Sequence, residues 1–60
     1  MLESTLYLAI AEEAAQAERS RRYKQAVQLW KNCSRLAYTT KNQHWATSRA
    51  EFCSKRVVMA

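Results

Sequence analysis

Tyr23-Lys24-Gln25-Ala26-Val27-Gln28-Leu29-Trp30-Lys31-Asn32-Cys33-Ser34-Arg35 separates its apolar and charged residues at regular intervals. Tyr23, Ala26, Trp30 and Cys33 recur at helical spacing, the period reaches Ala37, and Val27, Leu29 and Leu36 flank it. Lys24, Gln28, Lys31 and Arg35 fall on the opposite face at matching intervals. Such a division predicts an amphipathic helix over 23–38, one face buried and the other presenting cations.

Working outward, Ser20-Arg21-Arg22 breaks the period on the N-terminal side, and Ser20 suits a turn or a cap. Before it, Leu2, Leu6, Ile10, Ala14 and Ala17 recur at helical spacing, widened by Leu8, Ala11 and Ala15, which predicts a helix over 5–19. Its alanines leave room for a neighbouring helix to come close. On the C-terminal side, Thr39-Thr40-Lys41-Asn42 is the next break. Thr40 with Gln43 fits a capping box, Asn42 is the rival N-cap, and a third helix is expected over 43–57. It carries Trp45, Arg49, Phe52 and Arg56 on one stripe and Ala46, Ala50, Cys53 and Val57 on the adjacent one. Tyr23, Trp30, Trp45 and Phe52 are the expected core anchors, and the β-branched end from Val57 is expected to fray.

The fold class expected is therefore all-α: one domain over 1–60, a helical hairpin with a third helix packed across it. Composition agrees, because the 60 residues include no Gly and no Pro. The tight hairpins and bulges of a β fold lack their usual residues, while helix-forming types dominate. So small a domain has a marginal core, and a homo-oligomer is expected on that ground.

Charge is unevenly placed. Residues 1–18 hold four acids and no Lys or Arg, whereas 19–60 hold all ten bases and one acid, Glu51. An acidic partner, nucleic acid or a second copy would each satisfy this dipole. No apolar run approaches the roughly 20 residues that span a bilayer, and the N-terminus lacks a signal peptide's basic start. A cytoplasmic protein without membrane contact is expected. Cys33 and Cys53 form no CxxC pair and read as small buried thiols in a reducing compartment.

Enzymatic chemistry finds no constellation to rest on, so neither a catalytic residue nor a cofactor is expected. His44 is the lone histidine, and a metal site would need it to converge with Cys33, Cys53 and a fourth ligand. Glu12 and Glu13 are adjacent, and so diverge on a helix. The basic residues are better candidates. A helix-turn-helix would use the cluster Arg19, Arg21, Arg22 and Lys24 on phosphates, but the second helix offers few groups for base edges beyond Gln25, Gln28, Asn32 and Arg35. The favoured partner-binding residues are Lys24, Gln28, Lys31 and Arg35, acting on protein rather than duplex DNA. Arg49, on the Trp45 and Phe52 stripe, either pairs with a buried acid such as Glu18 or belongs to a partner surface.

Arg22 to Trp30 resembles the turn and second helix of a tetratricopeptide-type hairpin, where an aromatic and a small residue three apart lock two antiparallel helices. Such a hairpin needs a further helix to cover it. A wider pattern runs through Tyr7-Leu8, Ala11, Ala14-Ala15, Glu18-Arg19, Tyr23, Ala26, Leu29-Trp30 and Ala37. It continues through Asn42, Trp45-Ala46, Arg49-Ala50 and Phe52-Cys53. This pattern, over about 7–54, resembles the ANR family, the AraC negative regulators of bacteria. Arg21 stands where that family's turn would carry a glycine, and Cys33 where alanine is common. The resemblance implies a small anti-activator that binds AraC-type transcription activators and the nucleoid protein H-NS, with no cofactor.

Overall fold

The computed structural model describes residues 3–59, and side chains up to Val58. The chain folds as α1 (Thr5–Arg19), α2 (Tyr23–Leu36) and α3 (Thr40–Met59), with no strand among the described residues. The two short connections reverse the chain. Glu18 of α1 meets Trp30 of α2, while Tyr7 meets Cys33, so these helices run antiparallel. Ser34 of α2 meets Thr47 of α3 at 3.0 Å. α2 is thus the central helix, packed on α1 along one flank and on α3 along the other.

α1 has the expected bounds. Ser4 caps it, its hydroxyl accepting from the Tyr7 N–H at 3.0 Å, an arrangement that satisfies one of the free N–H groups of the first turn. At the other end Ser20 is the C-cap and Arg21 takes φ 62°. The Arg22 N–H donates to the Ala17 carbonyl at 2.8 Å and the Arg21 N–H to the Glu18 carbonyl at 3.0 Å. These two bonds make a Schellman motif with arginine in the left-handed position that glycine favours. The sequence break at Ser20–Arg22 is this motif.

α2 ends at Leu36, two residues before the expected boundary, and the reason lies outside the helix. Ala37 is extended (φ −68°, ψ 138°), and the Tyr38 N–H donates to the Glu3 carboxylate at 2.6 Å. α3 begins three residues earlier than expected, because the N-cap is Thr39 rather than Thr40 or Asn42. The Thr39 hydroxyl accepts from the Asn42 N–H at 3.1 Å, and its carbonyl from the Gln43 N–H at 3.0 Å. The Asn42 side chain is used elsewhere, donating to Glu3 at 2.6 Å. At its far end α3 stays helical through Val57 and Val58 to Met59 instead of fraying; Ala60 lies outside the described residues. With 20 residues against the 14 of α2, α3 overhangs its neighbour. Val57, on the stripe of Ala46, Ala50 and Cys53, is exposed and lies beside Arg22 and Tyr23 at the start of α2.

The core consists of Tyr7, Ala14 and Ala17 from α1, Ala26, Trp30 and Cys33 from α2, and Ala46, Ala50 and Cys53 from α3. Seven of these nine side chains are Ala or Cys, so the helices approach closely, and the two large ones, Trp30 and Tyr7, fill the space between them. Trp30 is 4% exposed, as expected of an anchor. Tyr23 is half-buried and packs against the core. Trp45 and Phe52 are not core: they are 56% and 37% exposed. The adjacent small-residue stripe of α3 takes the α2 interface in their place, since bulky rings there would hold the two backbones apart. Leu6 and Leu8, expected in the α1 stripe, are also exposed, the buried arc being centred on Tyr7 and Ala14. Leu2 lies outside the described residues.

Candidate binding surfaces

Glu18 is where the three helices are tied together by polar groups. One carboxylate oxygen accepts from the Trp30 indole N–H at 3.0 Å and lies 3.5 Å from the Cys53 thiol, while the other is ion-paired with Arg49. Of the two readings of Arg49, the structure realises the pairing with Glu18. Its guanidinium also lies 5.8 Å from the Trp45 ring centre and 4.5 Å from that of Phe52. Arg56 covers Phe52 from the next turn at 5.0 Å. Trp45, Arg49, Phe52 and Arg56 therefore form an alternating aromatic–cation ladder along the side of α3, with Trp45 at one end and Arg56 at the other.

At the opposite end of α1, Glu3 plays the equivalent part. Its carboxylate accepts from the Tyr38 N–H, from the Asn42 amide and, at 3.2 Å, from the Ser4 N–H. Partial burial would push its pKa up, but the hydrogen bonds from Asn42, Tyr38 and Ser4 outweigh that and hold it below the ordinary value. Beside it the Tyr7 hydroxyl donates to the Asn42 carbonyl at 3.4 Å. Both acids were visible in the sequence, but only Glu18 carried a sequence expectation of pairing.

The second surface lies on the other side of α3. Gln28, Lys31 and Arg35 of α2 and Thr47, Glu51 and Ser54 of α3 line an open groove of about 610 Å³. Three of the four residues of the expected cationic stripe are thus brought together. The fourth, Lys24, sits apart in a smaller hollow of about 370 Å³ with Arg21, Arg22 and Val57. All four are exposed. Arg49, named with them as a partner-binding residue, faces the α1 side and is not part of this groove.

Neither thiol offers a nucleophile. Burial pushes Cys33 up to about 11 and raises Cys53 also, Arg49 opposing the rise only in part. Both are free thiols and protonated at neutral pH. His44 is exposed, whereas both cysteines are buried. Among the described residues no three His, Cys, Asp or Glu side chains are placed to share a metal ion. No described helix is long and apolar enough to cross a membrane. Compared with protein-family models, curated proteins and solved structures, the chain matches none.

Proposed function

We propose that this protein is a small, non-enzymatic transcriptional regulator that works in the cytoplasm by binding other proteins, and that it down-modulates an AraC-type activator. The resemblance of residues 7–54 to the ANR family supplies the partner class, with H-NS as a second partner, and no cofactor is involved. A homo-oligomer is part of the same reading, because a core built from Ala, Cys, one Tyr and one Trp contributes little apolar burial. The observation that carries the reading is the convergence of Gln28, Lys31 and Arg35 on one open groove in which Glu51 is the lone acid. Charges of this kind, at the rim of an interface, speed encounter and set partner choice.

The alternative is a basic helical DNA-binding regulator or nucleoid-associated protein. A recognition helix must project into the major groove, whereas α2 is flanked by α1 and α3 along its length. Its outward groups offer charge for phosphates and little for base edges. The test is the triple variant Lys24→Glu, Lys31→Glu, Arg35→Glu, whose helices should form normally because all three side chains are exposed. It should lose co-purification with the activator and with H-NS at physiological salt. Should it retain both partners, while the parent alone shifts promoter DNA sequence-specifically, the DNA-binding reading replaces this one.

A further inference from the structure

We infer that the aromatic–cation ladder of α3 is a second docking surface, distinct from the α2–α3 groove, and that its occupant is an acidic amphipathic helix of another protein. The inference rests on reading the chain as a protein-binding module, but on different residues. Trp45 is 56% exposed and Phe52 37%, and the fold does not need them where they are, since α3 packs on α2 through Ala46, Ala50 and Cys53. Two large rings and two arginines on one side of a helix are the residue types that dominate the centres of protein interfaces.

The ladder is also ordered before anything binds. Glu18 holds Arg49, Arg49 spans Trp45 and Phe52, and Arg56 caps Phe52. A surface whose side chains are already fixed loses less entropy on association. Its shape is linear, four residues along about three turns of helix, which suits another helix laid alongside.

Charge selects the chemistry of that helix. By helical spacing Lys41 borders the ladder, whereas Glu51, the one acid of α3, lines the opposite groove and shares a hollow with Ser54 and Lys55. Glu18 is already used by Arg49, and Arg56 has no carboxylate partner among the described residues. The occupant must therefore bring carboxylates a turn apart and an apolar side chain to lie against Trp45, the more exposed ring.

Nucleic acid fits less well, because base stacking needs free ring faces. Here guanidinium groups stand over Phe52 from both neighbouring turns, and over Trp45 from one. A second copy of this chain also fits less well. Glu3 and Glu18 are engaged, Glu51 lines a groove with Lys31 and Arg35, and the exposed acids of α1, Glu12 and Glu13, are adjacent residues that point about 100° apart on a helix.

The experiment titrates the full chain with a helical peptide of about 20 residues, matching the ~30 Å of α3, with leucines on one face and glutamates beside them. The same peptide with lysines for glutamates and an oligothymidine strand serve as controls. Indole emission reports binding, since Trp45 is the exposed tryptophan and Trp30 the buried one. The acidic peptide should shift emission to shorter wavelength and saturate at micromolar concentration, and the lysine peptide should not. Arg56→Glu should weaken binding by about tenfold or more with an unchanged melting temperature. Lys31→Glu, the same change in net charge on the other surface, should leave binding nearly as it was. The inference is overturned by absence of saturable binding, by equal effects of the two variants, or by tighter binding of oligothymidine. It is overturned equally if sedimentation shows the ladder covered by a second copy that Arg56→Glu releases. None of these results bears on the pull-down with the α2 triple variant, so the two readings fail separately.

Discussion

Replacing each tryptophan with alanine should separate a residue that holds the fold from one that stands on its surface. Trp30 is 4% exposed, and its indole N–H is bonded to Glu18 at 3.0 Å. Truncating a buried aromatic typically costs about 3–5 kcal/mol. Leaving a partly buried carboxylate oxygen short of its donor adds about 1–3 kcal/mol. A chain of this size has about 3–9 kcal/mol in all, so Trp30→Ala should be largely unfolded at 25 °C. Trp30→Phe keeps most of the volume and loses the donor, so it should remain folded with a lower melting temperature. Trp45 is more than half exposed, and what its truncation removes is chiefly the stack against Arg49, about 0.5–1 kcal/mol at an exposed site. For a domain of this size that corresponds to a drop of a few degrees, at about 4–8 °C per kcal/mol. Thermal and urea unfolding followed by far-UV circular dichroism read both variants. Equal loss of stability in Trp30→Ala and Trp45→Ala would refute the assignment of one to the interior and the other to the surface. So would a Trp30→Ala that melts with the parent.

Two further perturbations test the ends of α1. Arg21→Gly should raise stability by about 0.5–1 kcal/mol in urea unfolding: a β-carbon in the left-handed region costs about 1–2 kcal/mol, and glycine's freer unfolded chain returns part of the gain. A destabilised Arg21→Gly would mean that the arginine side chain makes a contact worth more than its strained backbone. Glu3, held below its ordinary pKa by its hydrogen bonds, contributes stability that is present above the unfolded-state value, near 4.3, and is lost as pH falls through the lower folded-state value. Glu3→Gln should flatten that acid limb in a series of melts between about pH 5 and 2, and an unchanged limb would show that other carboxylates carry it.

Periodicity made the three helices legible, since each has an apolar face at helical spacing and Ser20–Arg22 and Thr39–Asn42 interrupt it. It was less able to say where they stop, because long-range bonds set those ends. The Tyr38 N–H that would have continued α2 is taken by Glu3, 35 residues away. Thr39 outcompetes Thr40 as a cap although Thr40 has the better local motif, since Asn42 is drawn to α1. Glu3 itself gave no sign, being a single acid outside any repeat.

α3 departs from its expected packing for a related reason. Its two stripes, Trp45-Arg49-Phe52-Arg56 and Ala46-Ala50-Cys53-Val57, lie side by side at the same period, and the large rings favour the first as anchors although the second is wholly apolar. What decides between them is the partner: α2 offers Ala26, Cys33 and one bulky residue, Trp30, and α1 offers Ala14, Ala17 and Tyr7. Three helices gathered round a single tryptophan close best when α3 turns its small residues inward. The larger rings then remain on the surface, held in place by the arginines between them. The charged position on the aromatic stripe was the available clue. Arg49 and Arg56 belong with rings that stay near water, and a pair of true core anchors would not be spaced by guanidinium groups.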